Sequence, residues 1–319
     1  GEVVDDLLIY RSGDERYMLV VNASNNDKDW AWLNAVNEGR VQIDSERPWV
    51  QLQHKAQLRD LRDPQWGEDC LIDIALQGPR ASDILIDMCN DDKLAGQIKA
   101  MSWASLLEGK IAGIDTVISR TGYTGERVAD ELFVHPERSA EFWEALLDTG
   151  KSHGLKPCGL AARDSTRTEA GLPLYGHELA GPLGLNPGDA GFGSYVKTWK
   201  PLFIGRRSYI NYERTRKRRI VRFRMNEKGV RLPELGDPVL DKRGKVIGTV
   251  TSCAIDTDGF LLGQAVVSTP LARPGEQLSI YQLGGGSRKI RLPENIKIGS
   301  RLPIPDRVTI LSRFPKLPK

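Results

Sequence analysis

Three groups of residues in this sequence have the types and spacing to do chemistry. Asp5 and Asp6 stand side by side in an apolar stretch, residues 3–10, that reads as a β-strand, so their carboxylates are expected on opposite faces. One can then enter a partly apolar pocket, where burial raises a carboxyl pKa and fits it to relay a proton or to stabilise a developing cation. The competing reading is a pair of exposed turn or edge aspartates. The second group is Thr121-Gly122-Tyr123-Thr124-Gly125-Glu126, an aromatic between glycines. Glycine permits left-handed backbone and close approach by a ligand, so Tyr123 can stack on a flat heterocycle or donate its hydroxyl. The plainer alternative is a tight loop whose tyrosine packs on the core. The third group is a dense polar helix over residues 158–171, closed by Gly171. Arg163 and Arg167 are four apart, so both can face one site, and a guanidinium fork suits carboxylates and polar ring edges. Against this stands a surface helix with ordinary exposed ion pairs.

The elements that must position these groups are legible in outline. Residues 17–21 are β-prone and pair with residues 3–10 through a turn at Gly13-Asp14-Glu15. Residues 25–27 can cap a helix beginning near Lys28, with Trp30, Leu33 and Val36 at helical spacing and Gly39 past its end. Residues 72–76, 115–119 and 131–134 read as strands, residues 81–88 as a helix, and Phe142, Trp143, Leu146 and Leu147 mark an amphipathic helix. Irregular alternation of helices and strands implies an α+β fold. Past the basic run 214–219 only short strands and turns follow, at 246–254, 261–268, 277–282, 288–292 and 307–311, which reads as a small all-β barrel or sandwich. The expected division is therefore residues 1–210 and residues 211–319.

Composition narrows the function classes. The 319 residues carry 45 basic and 42 acidic side chains, a net charge of +3, too balanced to imply nucleic acid. The run 214–219 is then read as a solvated linker leading into a strand, with no nucleic-acid role expected. Cys70, Cys89, Cys158 and Cys253, like the four histidines, show no metal-ligand spacing, so no metal is expected. Scattered thiols fit a reducing compartment, cytoplasm or mitochondrial matrix. No apolar run is long enough for a membrane helix, and no signal peptide is visible.

Taken in order, residues 4–10, 19–24, Ala75-Leu76-Gln77-Gly78-Pro79, residues 120–126, residues 156–164, Arg167-Thr168-Glu169-Ala170-Gly171, Phe203-Ile204-Gly205-Arg206 and residues 247–252 resemble the aminomethyltransferase family, the T-protein of the glycine cleavage system. The resemblance runs over about residues 1–282. It implies a cloverleaf of mixed α/β subdomains around a folate channel, ending in a β-barrel. The implied activity is transfer of a one-carbon unit to tetrahydrofolate with release of ammonia, the donor being the aminomethyl group on a lipoylated H-protein. By the same resemblance Asp5 is the catalytic aspartate beside the reacting folate nitrogens. Tyr10 and Asn22 line the pocket. Tyr123 is the loop tyrosine, Glu131 grips the pterin edge, and Arg167 reaches the folate.

Some features depart from the family pattern. Residues 125–131 are one residue longer than usual, which leaves Asp130 and Glu131 both standing for the pterin-gripping acid. Thr168 replaces the usual leucine, and the stretch after His177 differs. A family segment that precedes the acidic pair is not in this sequence, so the first domain is expected to be incomplete. These departures keep open a tetrahydrofolate-dependent demethylase acting on a small N-methyl or O-methyl substrate. A non-catalytic folate-binding or RNA-modifying relative is a third reading, without the cysteine motif such relatives carry.

Overall fold

The computed structural model describes residues 1–283 and 295–315. In chain order its strands are β1 (Leu8–Arg11), β2 (Tyr17–Val20), β3 (Ile72–Gln77), β4 (Leu106–Ile111), β5 (Ile114–Ser119), β6 (Ala129–Val134), β7 (Arg218–Met225), β8 (Pro238–Leu240), β9 (Val246–Ile255), β10 (Leu261–Ser268), β11 (Gln277–Ile280) and β12 (Asp306–Leu311). The helices are α1 (Asn26–Asn37), α2 (Ala81–Asp87), α3 (Asp92–Ala100), α4 (Ser139–Gly150), α5 (Leu160–Ala170), α6 (Pro187–Ala190) and α7 (Arg206–Thr215). The strand expected at residues 288–292 lies outside the described residues. Among the described residues no helix is long and apolar enough to cross a membrane.

The chain packs into two units. One comprises Gly1–Leu8, Val20–Lys55 and Arg167–Lys319, the other Ile9–Leu19 and Ala56–Thr166.

The second unit is organised by strand alternation. Ile72, Ile74 and Leu76 of β3 point to one side and Asp73, Ala75 and Gln77 to the other. The antiparallel sheet runs β3-β6-β5-β4. Its apolar side, with Leu132, Val134 and Ile118, is covered by Ile84 and Leu85 of α2, Ile98 of α3, and Phe142 and Leu146 of α4. Each of these large side chains contributes about 1.5–3 kcal/mol by leaving water. Asp91 starts α3 by accepting from the amides of Lys93 and Leu94. The sheet's other side carries no such apolar layer of its own and holds polar groups.

In the first unit the strands close into a barrel, β10-β7-β12-β11-β8-β9. Its interior is filled by Phe223, Met225, Val250, Val267, Leu278, Ile280, Val308 and Ile310. Residues 246–254 and 261–268 are strands as the sequence implies; β8 is a three-residue strand opened by Pro238 and carried no sequence signal. The basic run is less solvated than its composition implies. Arg216 pairs with Glu213 at 3.0 Å, and Arg218 pairs with Asp189 at 3.2 Å. Arg218 also donates to the carbonyls of Leu183 and Gly184.

One expectation fails at the start of the chain. The strand does not run from residue 3; pairing begins only at Leu8, and Asp5 and Asp6 lie in irregular backbone. The cause is local. The Asn22 side-chain amide takes the Asp6 carbonyl at 3.0 Å, withdrawing that group from a ladder.

Candidate functional site

In the first unit, one end of α1 gathers a cluster of carboxyl and amide groups. Asn25 sits at the N-cap of α1 but makes no capping bond. Its amide instead donates to Asp5 Oδ1. Asn22 donates its backbone amide to Asp5 Oδ2 at 3.0 Å and its side-chain amide to Asp5 Oδ1 at 2.8 Å and Asp6 Oδ1 at 2.9 Å. The two aspartates therefore share one partner and are not turned to opposite faces as expected. Asp29, only 4% exposed, is the buried side chain of α1 and neighbours Asp5.

The titration of this cluster differs from the sequence reading. Burial does push Asp5 upward, but hydrogen bonds from Asn22, Asp29 and Asn25 outweigh it and hold Asp5 below the ordinary carboxylate value. Asp6 is pushed up to about 6, by burial first and then by the charge of Asp5. Asp29 is also raised to about 6, by burial and by Asp5, so in the Asp5–Asp29 pair it is Asp29 that keeps the proton. Among the described residues neither Asp29 oxygen has a donor; when protonated, Asp29 itself donates to Asp5. Asp5 is thus held ionised, beside two carboxyls that give up their protons only near pH 6. Lys28 donates to the Val4 carbonyl and, at 2.7 Å, to Tyr175, fixing the backbone beside Asp5.

In the second unit, the polar side of the sheet carries Glu131. It accepts from Tyr10 Oη at 2.6 Å and from Thr121 Oγ1 at 2.6 Å, both on Oε2. Oε1 is left without a protein donor among the described residues. Ser119 Oγ lies 2.9 Å from Thr121 Oγ1 and extends the chain of hydroxyls. Burial, then the bond to Glu131, pushes the Tyr10 phenol far up, so it stays a donor at any ordinary pH. Tyr10 is buried edge-on against Phe133, ring centroids 5.9 Å apart.

Asp130 and Glu131 are neighbours on β6, and alternation separates them. Asp130 is fully buried on the apolar side and pairs with Arg120 at 2.7 Å. Arg120 is anchored in turn to Ser82 and the Ile98 carbonyl. Only Glu131 is turned to the polar side.

The glycine-flanked loop passes close to this side of the sheet. Gln77 Oε1 accepts from the Tyr123 amide at 3.3 Å and from Thr124 Oγ1 at 2.6 Å. A Cβ on Gly122 would lie 2.5 Å from that of Ala129 and 2.8 Å from the Gln77 amide, so the approach needs glycine. The Arg163 guanidinium lies over the Tyr123 ring, 5.0 Å from its centroid.

The two arginines of α5 have different partners. Arg163 is exposed and lies with Tyr123 in the second unit. Arg167 is 1% exposed in the first unit and donates to Glu178 at 2.8 Å, to Ser252 Oγ at 2.7 Å and to the Leu172 carbonyl at 3.3 Å. Ser252 Oγ donates onward to Glu178 at 2.7 Å, closing a buried triangle. Helical spacing made Arg163 and Arg167 equal; only long-range partners, Glu178 and Ser252, tell them apart.

The geometry thus joins Asp5 with Asn22, and Tyr10 with Glu131, and sets Tyr123 under Arg163. Asn25, Asp29, Thr121 and Gln77 belong to these groups; Asp29 had no place in the sequence reading, and the other three stood in it only as a helix cap or as motif members without a site role. For Asn22, Asn25 and Asp29 the spacing of three and four was the available signal. Among the described residues no three His, Cys, Asp or Glu side chains are arranged to hold a metal.

The family model described as the GCVT N-terminal domain matches residues 1–200. The chain belongs to the GCVT aminomethyltransferase family. The aminomethyltransferase of Thermoanaerobacter sp. (strain X514) is 36% identical over 281 residues, 88% of this chain and 68% of that protein. The aminomethyltransferase of Bacillus subtilis (strain 168) is 36% identical over 283 residues, 88% of this chain and 70% of that protein. In fold, the chain is similar to the glycine cleavage system aminomethyltransferase T from Bartonella henselae, with a TM-score of 0.70 at 23% identity, covering 98% of this chain and 72% of the other. The mixed helices and sheets with a closed barrel are the T-protein fold expected from the sequence. Neither these relatives nor the geometry favours the demethylase reading.

Proposed function

We propose that this GCVT-family chain is a tetrahydrofolate-dependent aminomethyltransferase that takes its one-carbon unit from a lipoylated carrier protein of the H-protein type and releases ammonia. The observation that carries the reading is the Glu131 carboxylate, oriented by Tyr10 and Thr121 through one oxygen while the other is left for an outside donor. A pterin ring presents an amidine-like edge of N–H donors, and a carboxylate accepts such an edge strongly. Tyr123 with Arg163 over it offers a flat wall, and Asp130 is withdrawn by its pair with Arg120. Of the two arginines of α5, Arg163 is the one available to a ligand; Arg167 serves to hold Glu178 and Ser252.

When bound, tetrahydrofolate supplies the nitrogen nucleophile. Glu131 fixes the ring by its edge and thereby the position of that nitrogen, which is the larger part of catalysis in a group transfer. Asp5, held ionised, stabilises positive charge as it develops on the amine-bearing carbon. Asp6 and Asp29, raised to about 6, are placed to exchange protons beside it at mildly acidic to neutral pH.

Calorimetric titration with tetrahydrofolate tests the proposal. Saturable binding is expected, and Glu131→Ala is expected to weaken it about ten- to a hundredfold, since a hydrogen bond to a charged group contributes roughly 1.5–3 kcal/mol. An unchanged dissociation constant in that variant removes Glu131 from the site, and no binding by the wild type rejects the folate reading.

A further inference from the structure

The polar side of the four-stranded sheet carries a second carboxylate that the site described so far does not use. Asp73 of β3 lies opposite Phe133, and Ala75 lies opposite Glu131. Asp73 and Glu131 are therefore diagonal neighbours on the same face, with Cβ atoms roughly 7 Å apart. Asp73 accepts no hydrogen bond and forms no ion pair among the described residues. Its side chain is exposed.

The charged and titratable groups facing it are few. Glu131 on β6 repels its charge, and Arg163 on α5 attracts it from its seat over Tyr123. Tyr10 reaches this face through its bond to Glu131. His135, just past the end of β6, turns its Nε2 to the Gly67 carbonyl at 3.1 Å. Glu108 of β4 occupies the far end of the same row, beyond Phe133 and Val117. Asp73 and Glu131 thus present two carboxylates on one face, their mutual repulsion eased only by Arg163 among the groups named.

We infer that Asp73 is a further binding carboxylate of this face, and that with Glu131 it brackets a fused flat ring carrying hydrogen-bond donors on two neighbouring edges. The inference rests on the folate reading and deepens it: it makes Asp73 a residue that selects reduced pteridines, rich in ring N–H groups, over flat rings that lack donors on the second edge. Burial, then the charge of Glu131, pushes Asp73 up to about 7, and Arg163 opposes the rise only in part. Below that value the carboxyl is protonated, and binding an N–H donor must expel the proton. Above it the carboxylate is already formed. Affinity is therefore lost as pH falls through 7 and is fully present above it.

The test is the dissociation constant of tetrahydrofolate for the full chain and for Asp73→Asn between pH 6 and pH 8. The wild type is expected to tighten about tenfold over that interval. The variant is expected to bind weakly throughout, without the slope. Titration of the ligand itself is common to both proteins and cancels in the comparison. A variant that keeps the wild-type slope overturns the role of Asp73 and leaves the folate reading intact. A wild type that does not bind overturns the folate reading, and this inference with it. Should Asp73→Asn fail to fold, the Asp73 carboxyl is followed by carbon NMR in the wild type. Its midpoint is expected to fall on adding tetrahydrofolate, and an unmoved midpoint overturns the role.

Discussion

Arg167→Ala is expected to destabilise the protein by about 3–5 kcal/mol, read as a lower unfolding midpoint in denaturant. Arg167 and Glu178 are 1% and 0% exposed at their side chains. Removing the guanidinium leaves Glu178 with the Leu174 amide at 3.0 Å and the Ser252 hydroxyl at 2.7 Å, in a place where water cannot replace the lost charge. Arg313 is close enough to feel Glu178, but it is itself buried, pulled down to about 10 by that burial, and bonded to the carbonyls of Ala190 and Gly171. It does not substitute. The double variant Arg167→Met with Glu178→Leu is expected to be more stable than Arg167→Ala alone, because it removes both charges and leaves none unpaired. An unfolding midpoint for Arg167→Ala equal to the wild type would show that the triangle contributes nothing.

Asp5→Asn is expected to lower turnover about a hundredfold or more while tetrahydrofolate affinity stays within severalfold. The substitution keeps size and shape and removes the charge. Asn22 and Asn25 lose an anion to donate to, and an amide at residue 5 can accept at only one atom. The same change relieves the upward push that Asp5 exerts on Asp6, so that carboxyl is expected to ionise at lower pH in the variant. Single-turnover kinetics with an aminomethyl-loaded carrier protein separate the outcomes. Loss of affinity with normal turnover would make Asp5 a binding residue, and no change in either would exclude it from the mechanism.

What was legible in the sequence follows the range of the forces involved. Alternation in Ile72-Asp73-Ile74-Ala75-Leu76 marks β3 because the core face and the polar face differ within five residues. The barrel strands β9 and β10 are long and β-branched, and stand out for the same reason. β4 was missed: Glu108, Gly109 and Lys110 interrupt its apolar pattern, and its pairing with β5 decides its conformation. The acidic pair was misread because residues 3–10 have strand composition, while the groups that hold Asp5 and Asp6 lie 16 to 20 residues away. The choice between Arg163 and Arg167 depends on Ser252, 85 residues beyond Arg167, and no local spacing carries that information. Alternation did separate Asp130 from Glu131 once β6 was fixed.

The chain visits its two units in turn, and this has a consequence for the order in which they can be completed. Every segment of the second unit lies within residues 9–166, whereas the first unit draws Gly1–Leu8 and Val20–Lys55 together with residues from Arg167 onward. During synthesis the four-stranded sheet can consolidate while the barrel is still unmade, and the helix carrying Asp29 must wait for partners such as Tyr175. In pulse-labelled hydrogen exchange during refolding, amides of β3, β5 and β6 are expected to gain protection before those of α1; simultaneous protection would refute this order. Asp5 and Asp6, held by Asn22 and Asn25 at the start of α1, are then expected to reach their final arrangement after the sheet has formed.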